Sequence, residues 1–133
     1  MSDLEYRIHQ AINRVRMHNG LRELVWHENL AEIARDHSRN MASRKFFAHK
    51  DPIEGELTQR VQKRARYHWI TYGENLYLSA GLSDPVTGAV KGWMNSPSHR
   101  SNILNRNFRQ AGVGVARSWR GELYFTQVFG TMG

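Results

Sequence analysis

The apolar residues of this chain recur at helical spacing in its first half and at strand spacing in much of the second. Leu4, Ile8, Ala11, Ile12 and Val15 form one stripe of an amphipathic helix. Ser2, followed three residues later by Glu5, predicts a capping box at its start, and Gly20 a left-handed stop at its end. Leu30, Ile33, Ala34, His37 and Met41 repeat the stripe in a second helix over about residues 27–44. Leu57 and Val61, with Arg64 or Ala65, predict a third, short helix. The period then changes. Residues 69–72 and 76–78 read as one strand through Gly73, Glu74 and Asn75, with the glycine allowing close backbone approach. Val86, Ala89, Val90, Trp93 and Met94 return to helical spacing, behind Asp84 as N-cap and Pro85 at the first helical position. Residues 113–118 and 122–129 alternate around Trp119, Arg120 and Gly121, which predicts a hairpin. Periodicity alone therefore gives an α+β protein, its helices packed on a mostly antiparallel sheet.

The segment from Trp93 to Leu104 does not read as core. It gathers an imidazole (His99), three hydroxyls (Ser96, Ser98, Ser101), two amides (Asn95, Asn102) and the Arg100 guanidinium around Pro97. Proline lacks an N–H and disfavours helical geometry at the residue before it. The chain is therefore expected to turn at Ser96 and to present His99 from a fixed corner. His37 lies on an apolar stripe, which favours a hydrogen-bonded core histidine over a ligand.

At 133 residues, 40% hydrophobic and 11% aromatic, the chain has the size and composition of a single globular domain over residues 1–133. No apolar stretch reaches the length of a membrane span, and residues 1–20 lack the apolar centre of a signal peptide. Zero cysteines exclude disulfides and thiolate metal sites. The net charge of +7 suits anionic partners: a membrane, a cell-wall polymer or nucleic acid. Its densest cluster, Arg60, Lys63, Arg64 and Arg66, is expected to be a solvated helix face, and no sequence-specific nucleic-acid module is present. Hydrolase signatures are missing. The His27-Glu28 pair begins like a zinc-protease helix but meets Ala31 where a second histidine would stand, and there is no Gly-x-Ser-x-Gly elbow.

Four motifs in order carry a resemblance: Phe46 to Pro52 around His49, Gly73-Glu74-Asn75-Leu76-Tyr77, the segment around His99, and Tyr124 to Gly130 around Gln127. With Asn13, Arg16, Gly20, Leu21, Leu24 and Trp26 upstream, they make the chain resemble the CAP superfamily (cysteine-rich secretory proteins, antigen 5, pathogenesis-related proteins) in its bacterial or archaeal SCP-like branch. The resemblance implies a three-layer α-β-α sandwich, an extracellular or cell-surface location with any leader or anchor lying outside this stretch, and lipid or other ligand binding. It also implies a site. His49, Glu74 and His99 match three members of a tetrad of two histidines and two glutamates, and Ser96 stands where the second glutamate would be.

Two neutral imidazoles can coordinate zinc or another divalent transition metal, with Glu74 as third ligand, as an acceptor orienting an imidazole, or as a base acting on bound water. Ser96, Asn75, Asn102 and Gln127 are expected to support the cleft. Three readings stand at this point: a metal- and ligand-binding surface module, a metal-dependent peptidase-like hydrolase with Glu74 as base, and a structural module in which the trio is a hydrogen-bonded network. The domain is expected to be a self-sufficient monomer whose stability requires neither metal nor a reducing agent.

Overall fold

Strand alternation sorts the sheet side chains into two apolar faces, and each face is covered by helices. The computed structural model describes residues 1–81 and 83–133. In chain order the elements are α1 (Asp3–His18), β1 (Val25–Trp26), α2 (Glu28–Arg44), α3 (Leu57–Arg64), β2 (Trp69–Ser79), α4 (Pro85–Met94), α5 (Pro97–Ile103), β3 (Gln110–Arg117) and β4 (Leu123–Met132). The sheet order is β1-β3-β4-β2, with β1 parallel to β3 and the other two pairs antiparallel.

Ala111, Val113, Phe125 and Phe129 lie on one face with Ile8 and Ile12 of α1, Ala89 and Trp93 of α4 and Ile103 of α5. Val128 lies on the other, packed with Leu30, Ile33 and Ala34 of α2 and Val61 of α3, while Tyr124 joins Met41 farther along α2. The layers are those of an α-β-α sandwich. Helix α2 rests almost on the backbone of β3: a Cβ added at Gly112 or Gly114 would fall 2.1 or 2.2 Å from the amide nitrogen of Ala31 or Arg35. Ser38, on the same helix, donates to the Gly114 carbonyl at 2.8 Å.

The expected boundaries hold closely. The Ser2–Glu5 capping box forms, and Gly20 takes the left-handed conformation at φ 73°. Asp84 caps α4, accepting from the Thr87 amide, and Trp119-Arg120-Gly121 closes the β3–β4 hairpin. Two elements escape the periodicity. β1 is two residues long, too short for an alternating pattern, and α5 is a seven-residue polar helix. The turn expected at Ser96 is there, with φ −114° and ψ 117°, but Pro97 starts a new helix and His99 sits in its first turn.

Candidate functional site

The site forms at β2, an edge strand, where chain from both helical layers reaches the margin of the sheet. His49 lies on the connection between α2 and α3. That loop is tied down by Asp51, whose buried carboxylate accepts from the Ile53 and Glu54 amides at 2.8 and 3.0 Å and from Asn40 and Arg44 at 3.1 and 3.2 Å. His37, buried on α2, donates from Nε2 to the carbonyl of Ala48 at 2.8 Å. It is thus the hydrogen-bonded core histidine expected, and it fixes the residue next to His49.

Glu74 projects from β2 toward the α2–α3 layer and is buried. Arg60 of α3 grips its carboxylate with two N–H groups, both at 2.8 Å, and donates to the His49 carbonyl at 2.8 Å. His49 donates from Nδ1 to the same carboxylate at 2.9 Å. Burial opposes ionisation of Glu74, but the hydrogen bonds from His49 and Arg60 and the Arg60 charge outweigh it and hold the carboxyl below its usual range. That bond commits Nδ1 of His49 to the carboxylate and leaves Nε2 as the ring nitrogen without a protein partner at Glu74. The His49 side chain is 52% exposed.

His99 arrives from the opposite layer on α5. Its Nδ1 pairs with Ser96 Oγ at 2.7 Å, so the residue standing where the second glutamate would be still contacts this ring. Asn75 donates to the His99 carbonyl at 3.0 Å, and Asn102 donates to the Glu74 carbonyl at 3.2 Å and to Asn75 Oδ1 at 2.9 Å. This amide ladder ties α5 to β2. Gly73 makes room for it, since a Cβ there would lie 3.0 Å from Phe108 and 3.1 Å from Asn102. Burial, and then the nearness of His49, disfavour a proton on His99 and lower its pKa, so its ring is neutral at neutral pH.

His49, Glu74, His99, Ser96, Asn75 and Asn102 therefore belong to one connected arrangement. Gln127 does not join it by hydrogen bonding: it is buried on β4 opposite Asn75 in register, with both side-chain polar atoms unpartnered. Two imidazoles suit a borderline divalent ion such as zinc or copper. Glu74 does not suit the role of third ligand, because both its oxygens are held by Arg60 and one also by His49. Among the described residues no group of three His, Asp or Glu side chains is disposed to hold a metal.

The basic cluster on and after α3 is the main correction. Arg60 is 1% exposed, Lys63 and Arg64 pair with Glu54 at 3.2 and 2.6 Å, Arg64 also holds Asp36 at 2.6 Å, and Arg66 pairs with Glu32. It is an ion-paired seam in which Arg60 is buried and Arg64 largely covered, while Lys63 and Arg66, 61% and 57% exposed, keep the solvated character expected. Arg60 carried a signal that the charge count hid: it stands three residues after Leu57 and beside Val61, on the apolar stripe of its helix. A charge there is buried, and a buried charge needs a partner.

Comparison with known proteins agrees with this architecture. The model of the cysteine-rich secretory protein family matches residues 9–129. Two Bacillus subtilis proteins, the uncharacterized membrane protein YlbC and the uncharacterized protein YkwD, are each 34% identical to the chain over 94% and 98% of its length. The chain spans only 34% and 48% of their lengths. An extracellular SCP-domain protein of Bacillus anthracis superposes with a TM-score of 0.80 at 32% identity, over 95% of this chain and 39% of that one. An outer surface protein of Borrelia burgdorferi, 20% identical, shares the fold with a TM-score of 0.84 over 95% of this chain and 90% of its own. From the order of its motifs, its sandwich and its match over residues 9–129, the chain belongs to the CAP family of cysteine-rich secretory proteins.

Proposed function

We propose that this chain is an extracellular or surface-displayed CAP module that takes up a divalent transition metal, zinc or copper, between His49 and His99. The observation that carries the reading is the 2.9 Å bond from His49 Nδ1 to the ionised Glu74. A carboxylate behind an imidazole fixes its tautomer and orientation and raises its basicity as a ligand. Glu74 therefore acts through His49, not on the metal itself. The metal would supply Lewis acidity at open coordination positions, and the protein would supply two neutral nitrogens.

The peptidase-like reading is less well supported, because a carboxylate saturated by Arg60 and held below its usual pKa is a weak base. An anionic ligand finds little support here either, since the guanidinium built into the site is committed to Glu74. No helix among the described residues is long and apolar enough to cross a membrane, which fits a module displayed outside the bilayer.

Calorimetric titration with zinc chloride tests the metal reading. His49→Ala and His99→Ala should each remove most of the binding, Glu74→Gln should weaken it roughly 10- to 100-fold, and His27→Ala and His68→Ala should leave it intact. Affinity should fall as pH drops through and below the ordinary histidine range near about 6.5, because both nitrogens must be unprotonated to bind. Zinc binding unchanged in both His49→Ala and His99→Ala would overturn the proposal.

A further inference from the structure

A second concentration of positive charge lies away from the imidazoles, where the end of α1, β1 and the α5–β3 connection enclose a cavity of about 460 Å³. That volume falls in the range of small-ligand sites. Arg16, Arg22, Arg106 and Arg109 line it, and Glu23 is its single acidic side chain. None of the four arginines has an ion-pair partner among the described residues. Arg22, Arg106 and Arg109 are exposed, whereas Arg16 is buried. Arg16 donates only to carbonyls, those of Arg22 and Ile103 at 2.8 Å, Asn105 at 3.0 Å and Phe108 at 3.3 Å. Its hydrogen bonds are satisfied and its charge is not neutralised, so the low-dielectric wall directs a positive potential into the cavity.

We infer that this cavity binds a phosphorylated polyol, its phosphate held by Arg22, Arg106 and Arg109 and its hydroxyls by Glu23. Guanidinium groups match phosphate oxygens in charge and in fork geometry. The Glu23 carboxylate is an acceptor, and a polyol brings O–H donors to it at a distance from the phosphate charge that inorganic phosphate does not span. Glu23 also repels a second phosphate placed close by, which selects a monophosphate unit over a polyphosphate. Such units occur as repeats of phosphate-linked polyol polymers and as glycerophospholipid headgroups. His49, Glu74 and His99 do not line the cavity, so the inference stands apart from the metal reading.

Calorimetry at low ionic strength with glycerol 3-phosphate, inorganic phosphate and glycerol as probes tests it. The double variant Arg106→Ala/Arg109→Ala, altered only at exposed side chains, should lose about tenfold or more in glycerol 3-phosphate affinity. The charge-matched Lys63→Ala/Arg66→Ala, altered in the ion-paired seam, should stay within about twofold of the parent. Glycerol 3-phosphate should bind several-fold more tightly than inorganic phosphate, and Glu23→Ala, altered at an exposed side chain, should erase that difference. Poly(glycerol phosphate) and phosphatidylglycerol vesicles separate polymer from headgroup as the source, and whichever binds must lose binding in Arg106→Ala/Arg109→Ala. His49→Ala/His99→Ala should leave all of this unchanged, which keeps failure of this site distinct from failure of the metal site. Equal losses in the two charge-matched variants, equal affinity for phosphate and glycerol 3-phosphate, or no binding of any probe would overturn the inference.

Discussion

Arg60 and Arg16 are both 1% exposed, yet one sits in a neutralised seam and the other at the wall of a cationic cavity. Around Arg60 every charge has an answer: Glu74, Glu54, Asp36 and Glu32 take up the cations on and after α3. Around Arg16 the acceptors are backbone carbonyls, which satisfy N–H groups without cancelling charge. A run of basic residues in a sequence thus says little about where a protein is positive. What matters is whether the fold brings carboxylates to it, and here the densest run is the quieter region.

The sharpest way to break the comparison is to remove each buried guanidinium. Arg60→Met should cost about 3–5 kcal/mol of stability in urea unfolding, because it strands a buried carboxylate. Adding Glu74→Leu to that variant should restore much of the loss, since a buried ion pair replaced whole by apolar groups is often near neutral. A loss below about 1 kcal/mol in Arg60→Met would mean the pair holds nothing together. Arg16→Met should cost less, roughly 2–3 kcal/mol from carbonyls left without donors. Among the described residues Arg16 has no partner acid whose removal would restore it. A double-variant rescue of Arg16→Met by Glu23→Gln would refute the claim that Arg16 has no counter-charge.

Smaller effects follow from pH and salt. Burial opposes the Glu54 charge, but hydrogen bonds and charge from Arg64 and Lys63 prevail and lower its pKa. A carboxyl lowered on folding contributes stability that is present above its unfolded value and lost as pH falls through the folded one. Glu54→Gln should therefore destabilise by about 0.5–1 kcal/mol near neutral pH and by almost nothing near about pH 3, as read from denaturant midpoints. Lys63→Ala, whose side chain is 61% exposed, should shift stability by less than about 0.5 kcal/mol, and less again in high salt. A larger or salt-independent shift would show that the seam is more tightly coupled than its exposure implies.

Much of the fold was legible because helix and strand periods are local. The stripe on α2, the capping box at Ser2, the Asp84-Pro85 start of α4 and the last hairpin follow from neighbours a few residues apart. β1 was not legible, since two residues carry no period and its pairing with β3 spans most of the chain. The hydrogen-bonded group at β2 was legible as a set of residues through the motifs around His49, Glu74 and His99. Its internal roles were not. Nothing local indicates that Arg60 would occupy both Glu74 oxygens, or that Ser96 would reach His99.

The sequence by itself determined which segments coil, which extend, and which polar motifs lie at their ends, because those depend on side-chain period and backbone preference within a few residues. Only the tertiary structure decided which charges are spent and which remain. Glu74 became an orienting group because β2 brings it under α3, and Arg60 was buried because its helix turns that position inward. Arg16 kept its charge because the chain ends converging on it, at Arg22, Ile103, Asn105 and Phe108, present carbonyls and no acid. Electrostatic pairing acts over distances of a few ångströms, and which groups come that close is set by packing across the whole chain.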